Sequence, residues 1–267
     1  MDTMKDNDYL RAKVAYSMAR EHLANEIEMY YHLVDTVGPN LRNSYMTLIG
    51  SFEYHLFKLN IDVRRWRRRL ELRQKAINAG EQPDLAAIEA QVDAELEKYM
   101  EELKAKEIEL NEARGRFHCG KMTDSETTEL RVAYLDAVKK LHPDLNPDLP
   151  EGAKTLWEQI LKANKDKNWK QLKFLAGMID DAIGKKKEYP NTEEGVEMLK
   201  AEVVRLKAKY KEVQEEIAAL KKEEPFIYEV VLEDSDTVEL RQKAIQEDIE
   251  KLEAKIAAYE EEWKDGE

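Results

Sequence analysis

Cysteine, glycine, proline and long apolar runs are all scarce in this sequence. A single cysteine, Cys119, in 267 residues excludes an intramolecular disulfide and suits a reducing, intracellular setting. No apolar run approaches membrane-spanning length, and the charged start Met1-Asp2-Thr3-Met4-Lys5-Asp6 does not read as a signal peptide. A soluble, cytoplasmic protein with no membrane partner is the expectation. Positive charge is in deficit: 43 Lys and Arg stand against 56 Asp and Glu, a formal net charge of -13. That balance argues against nucleic acid as the default partner, because phosphate binding needs a basic footprint. What is present is Glu, Lys, Leu and Ala, with only 10 Gly and 7 Pro. This is the profile of long, largely exposed helices rather than one large globular core. Hydrophobic content of 42% is too high for wholesale disorder, and the length suits one or two domains.

Residues 8 to 36 read as a first helix, ended by the turn cluster Val37-Gly38-Pro39-Asn40. A second helix to about Asn78 carries Tyr45, Leu48, Phe52, Leu56, Leu59, Val63, Trp66 and Leu70 at steps of three and four, one helical stripe. Ala79-Gly80-Glu81-Gln82-Pro83-Asp84 breaks it, with Asp84 placed to cap a third helix from Leu85 toward Arg114. Short connections favour antiparallel neighbours, so residues 1–115 are expected to form a long-helix hairpin or three-helix bundle. In residues 190–267, Val196, Leu199, Val203, Leu206, Tyr210, Val213, Ile217 and Leu220 make a heptad seam. Ile245, Ile249, Leu252, Ile256, Tyr259 and Trp263 form a returning stripe. An antiparallel coiled-coil hairpin is the first reading, and a seam for a homo-oligomer the second. The β-branched and aromatic stretch Phe226 to Leu232 between them reads as a short strand that could take a partner by strand addition.

Residues 116–184 hold the most informative feature. A helix places Leu130, Tyr134, Ala137, Val138 and Leu141 inward at helical spacing and must stop at His142, because Pro143 bars the preceding residue from the α region. The loop His142-Pro143-Asp144 to Pro150 therefore presents an imidazole and a carboxylate rather than packing them. A second helix from about Glu151 turns Leu156, Trp157, Ile160 and Ala163 back toward the first, and after a turn at 164–168 a further helix runs from Trp169 to Ile183. Thr123-Asp124-Ser125-Glu126 offers the N-cap candidates.

The His-Pro-Asp tripeptide at a hairpin tip, with Ala133-Tyr134 before it and Asn146-Pro147 after it, resembles the signature of the J-domain (DnaJ-like) family. Gly120 lies where the family's short first helix ends, although Gly115-Arg116-Phe117-His118-Cys119 represents that helix poorly. The resemblance implies an all-α fold in which long helical arms flank a small J-like unit. It also implies a co-chaperone that docks on a DnaK-type ATPase and stimulates it, while the arms recruit a client. On this resemblance Asp144 contacts a chaperone arginine, His142 and Pro143 shape the loop, Arg131, Lys139 and Lys140 orient docking through complementary charge, and Asn146 completes the docking set. Such a unit does no bond chemistry itself, so neither enzyme activity nor cofactor is expected. Leu135, Asp136 and Leu145 stand where basic residues are common in the family. They motivate a rival reading, a coiled-coil scaffold whose J-like unit is a packed spacer.

Three other groups ask for a role. Arg64-Arg65-Trp66-Arg67-Arg68-Arg69 interleaves base and aromatic, as a nucleic-acid adaptor would. The simpler reading is that Trp66 continues the apolar stripe while the arginines face the acidic third helix. His22, Glu26, Glu28 and His32 lack the Glu-x-x-His spacing of di-iron bundles and read as surface residues. His118-Cys119 is too sparse for zinc, and Cys119 has no nearby partner for nucleophilic catalysis.

Overall fold

The structure, a computed structural model, describes residues 2–117, 124–183 and 188–265. The expectations placed on His118, Cys119, Gly120 and Thr123 lie outside the described residues. Every element among the described residues is helical. They run α1 (Asp2–His32), a π-helical segment (Leu33–Val37), α2 (Gly38–Tyr45), a second π-helical segment (Met46–Gly50), α3 (Ser51–Asn78), α4 (Leu85–Phe117), α5 (Asp124–Leu141), α6 (Glu151–Lys165), α7 (Trp169–Ala176), α8 (Ile179–Ala182), α9 (Glu193–Leu220), a 3-10 turn (Phe226–Tyr228), α10 (Glu229–Leu232) and α11 (Ser235–Asp265). The all-α expectation holds. No membrane-spanning helix is found among the described residues.

Two local expectations are corrected. The chain does not turn at Val37-Gly38-Pro39-Asn40. The Gly38 N–H reaches back to the Leu33 carbonyl, a π-type bond, and Pro39 falls in the first turn of α2, where its missing N–H costs least. Phe226 to Leu232 is helical rather than a strand. Tyr228, Val231 and Leu232 stand at i, i+3 and i+4, and all three pack against the core of Tyr45, Ile49 and Val238. That spacing needs a helical turn, which overrides the β-branched composition.

The chain divides into two compact units, Met1–Pro39 with Gly120–Phe226, and Asn40–Cys119 with Ile227–Glu267. These differ from the three consecutive segments 1–115, 116–184 and 190–267, because helices distant in sequence pair in each unit. In the second unit, α3 lies between α4 and α11. One face of α3 sets Ile61 and Leu72, with Tyr54 and Phe57, against Ile88, Val92, Leu96 and Leu103 of α4. The other sets Leu59, Phe52 and Leu56 against Val238, Ile245, Ile249, Leu252 and Ile256 of α11. Between α3 and α4 a turn with Gly80 at φ 74° reverses the chain, and the Asp84 carboxylate accepts from the Ala87 N–H at 3.0 Å. Arg65 pairs with Asp93 at 2.7 Å, Arg68 with Glu95 at 2.8 Å, and Arg69 with Glu89. Arg64 lies over the Tyr99 ring and Arg67 pairs with Glu71 on its own helix. The arginine cluster thus spends its charge mainly on the acidic face of α4.

The partners of the two C-terminal stripes are also corrected. The seam of α9 is filled by α1, and the stripe of α11 by α3, in place of a hairpin of α9 with α11. Both pairs are parallel. Tyr9 of α1 donates to the Tyr189 carbonyl just before α9, and further along both helices His22 meets Tyr210 with ring centroids 6.4 Å apart. Gln242 donates to the Leu48 carbonyl and Arg241 pairs with Glu53, whereas Trp263 meets Trp66 further along. Leu199, Leu206, Val213 and Ile217 of α9 are buried, so this apolar seam is used within the chain. Gly195 is required at the start of α9, since a Cβ there would sit 1.9 Å from the Pro190 carbonyl oxygen.

The remaining helices of the first unit, α5 to α8, form a cluster against α1. Leu130, Tyr134, Ala137, Val138 and Leu141 of α5 are buried with Ala153, Leu156, Trp157, Ile160 and Ala163 of α6. Leu172, Leu175 and Ile179 close the cluster from α7 and α8. The helix expected from Trp169 to Ile183 is broken at Gly177-Met178.

Candidate functional site: the His142-Pro143-Asp144 tip

Helix α5 makes its last regular bond from the His142 N–H to the Val138 carbonyl at 3.0 Å, and Pro143 stops it. The chain then folds on His142. Its carbonyl accepts from Leu145 N–H at 3.0 Å and Asn146 N–H at 2.9 Å, and its Nδ1 accepts from Asp144 N–H at 3.2 Å. An accepting Nδ1 places the ring proton of the neutral imidazole on Nε2. The Asn146 amide donates to the Lys139 carbonyl at 3.2 Å, satisfying one of the orphan carbonyls at the end of α5.

Aromatic rings hold the tip to the hairpin. Trp157 of α6 stacks on Tyr134 of α5 at 5.9 Å between centroids and takes the His142 ring edge-on at 5.4 Å. Tyr31 of α1 stands 6.0 Å from Tyr134, 6.3 Å from Trp157 and 6.5 Å from His142. The imidazole is therefore packed rather than presented, which corrects the exposed reading, and Pro143 is the exposed member of the tripeptide. The Tyr134 hydroxyl is buried with no partner among the described residues, and burial raises its pKa. Behind the hairpin, buried Asn164 donates to Asp35 at 3.1 Å and Lys167 to Thr36 at 2.6 Å, fixing the α6–α7 turn to the first π-helical segment.

Burial pushes the His142 pKa down, and the nearby Asp144 carboxylate only partly opposes it. The unfolded chain, with His142 near its ordinary value of about 6.5, takes up the proton first. This group therefore costs nothing above about pH 6.5 and favours unfolding as pH falls below that value. Thermal unfolding between pH 7.5 and 5.5 should show a steeper loss of Tm in the wild type than in His142→Gln. Equal slopes would remove His142 from the acid response.

Helices α1 and α9 of the same unit reach the tip from outside. Arg20 of α1 donates to the Leu145 carbonyl at 2.5 Å, the Lys139 carbonyl at 2.9 Å and Asn146 Oδ1 at 3.0 Å. Glu21 takes Lys139 at 2.6 Å, and Glu28 takes Arg131 in a two-point bond at 2.9 and 3.0 Å. From α9, Arg205 donates to the Asp144 carbonyl at 2.7 Å, and Lys209 Nζ lies 3.9 Å from the Asp144 carboxylate. Lys140 pairs with Asp136 at 3.1 Å and Asp180 at 3.0 Å. The structure thus gathers Arg131, Lys139, His142, Pro143, Asp144 and Asn146 around one loop, with Lys140 turned toward α8. Leu145, only 2% exposed, is apolar because the loop is buried there.

Arg20, Glu21, Arg205 and Lys209 were not singled out by the sequence, and Glu28 was singled out only as a surface residue. Their signal is spacing: Glu21 and Glu28 are seven apart, Arg205 and Lys209 four apart, each pair on one helical face. Glu28, read as a surface residue, is 5% exposed under Arg131. Beside the loop a cleft of about 390 Å³ is lined by Arg20, Lys139, Tyr189 and Arg205, whose cationic groups are already bonded within the chain. Among the described residues no group of three or more His, Cys, Asp or Glu is placed to hold a metal. No protein family, curated protein or solved structure matches the chain.

Proposed function

We propose that the chain is a J-domain-like co-chaperone whose α5–α6 hairpin docks on a DnaK-type ATPase, the remaining helices linking that ATPase to a client or partner protein. One observation carries the proposal: His142-Pro143-Asp144 stands at the tip of a two-helix hairpin, with the loop closed on His142 and the hairpin held by Tyr134 on Trp157. The tip supplies a carboxylate and an exposed proline, which suit a partner arginine, and the neighbouring basic face suits acidic groups beside that arginine. The unit would act by favouring the hydrolysis-competent conformation of its partner, without chemistry of its own. Capture of the host's DnaK-type ATPase on immobilised full-length chain tests it. Binding should be stronger with ATP than with ADP and should fall at least tenfold with Asp144→Asn. Nucleotide-independent capture, or none, counts against it.

A second reading has its own observation. Arg131 and Lys139 are already neutralised by Glu28 and Glu21, which is what a structural spacer within a helical scaffold requires. Under that reading native pull-downs return helical partners and no nucleotide-sensitive ATPase.

A further inference from the structure

We infer that the α1/α9 face is an internal stand-in for the tip's partner, so that the tip is held closed and becomes free to dock only when this face releases it. This rests on the co-chaperone reading above. The inference comes from the match of charge and position. Where the hairpin is cationic, at Arg131 and Lys139, α1 supplies Glu28 and Glu21. Where the tip is anionic, at Asp144, α9 supplies Lys209 beside the carboxylate and Arg205 on the carbonyl. Arg20 adds bonds to Lys139, Leu145 and Asn146. The same side chains cannot bond to this face and to an incoming ATPase together. Docking is therefore competitive, and apparent affinity falls by the fraction of molecules that are open.

The contacts are also releasable. Arg131, Lys139, Asp144 and Lys209 each keep about a third or more of their side-chain surface in water. The Lys139–Glu21 and Lys209–Asp144 pairs, exposed on both sides, are individually weak, so a partner with matching charges can exchange them first. The Arg131–Glu28 pair, with Glu28 buried, is the firmer hold. The face is built from two parallel helices joined at the seam of Leu199, Leu206 and Val213. It can lose its hold on the loop while that seam stays intact.

Zero-length carbodiimide coupling reads the closed state directly, because Lys139 Nζ and the Glu21 carboxylate are 2.6 Å apart. The full-length chain alone should yield a Glu21–Lys139 cross-linked peptide. Addition of saturating host DnaK-type ATPase with ATP should reduce its yield severalfold. Arg205→Ala, and separately Glu28→Gln, should raise ATPase capture severalfold over wild type, and Asp144→Asn should cancel the gain. If the ATPase binds in an Asp144-dependent way while the cross-link yield and the variant affinities stay unchanged, the internal stand-in is overturned and the co-chaperone reading survives. If neither wild type nor variants bind, both fall together.

Discussion

Trp157→Ala should remove about 3–5 kcal/mol of stability, the range for deleting a large aromatic side chain from a packed core. Trp157 is 5% exposed and its ring touches three others, Tyr134, His142 and Tyr31. Its loss leaves a void between α5 and α6 that backbone movement only partly fills, and it takes away the surface on which His142 rests. Urea unfolding should show that loss as a lower midpoint at an unchanged slope, and near-UV circular dichroism should lose the Trp157 contribution while far-UV helicity persists. A change below 1 kcal/mol would mean that the hairpin is not held by this ring. Trp157→Phe keeps the apolar contact and should recover much of the loss.

Glu28→Lys should be the next most damaging change, at about 2–3 kcal/mol. Glu28 is 5% exposed, and its replacement sets a buried ammonium against the Arg131 guanidinium. Breaking a fully buried ion pair costs about 3–5 kcal/mol. The lower figure applies because the Arg131 side chain is 55% exposed, so water screens part of the repulsion. The diagnostic is the double change. Arg131→Glu in the Glu28→Lys background restores an attractive pair with reversed polarity and should recover at least half of the lost stability. A double variant no more stable than the single change would show that Glu28 acts through packing alone.

The legibility of this sequence differs between its helices and their partners. The end of α3 and the limits of α4 and α6 follow from periodicity and from breakers such as Gly80, Pro83 and Pro150, which act locally. The α5–α6 hairpin was legible for the same reason, since Pro143 and Pro147 punctuate it. Partner choice was legible only where a short turn joins the two helices, as for α3 with α4 and α5 with α6. A seam such as Leu199, Leu206 and Val213 states that α9 is buried on one side, and nothing in its period says by which helix. The second stripe of α3, with Tyr54, Phe57, Ile61 and Leu72, sits beside the first and makes α3 a middle helix. In α1 the buried positions include Ala12, Ala19 and Ala24, small residues that contribute little to a visible apolar pattern. The tip was legible as a motif but not as a surface in contact. The charges that hold it, on Arg20, Glu28 and Arg205, lie more than 50 positions from His142 and resemble any solvated helical face.

The most direct measurement is single-turnover ATP hydrolysis by the host's DnaK-type ATPase, with and without excess full-length chain. The account predicts a severalfold rise in rate with wild type, a larger rise with Arg205→Ala, and none with Asp144→Asn. A rate unchanged by every one of these chains, or raised equally by wild type and Asp144→Asn, would contradict it.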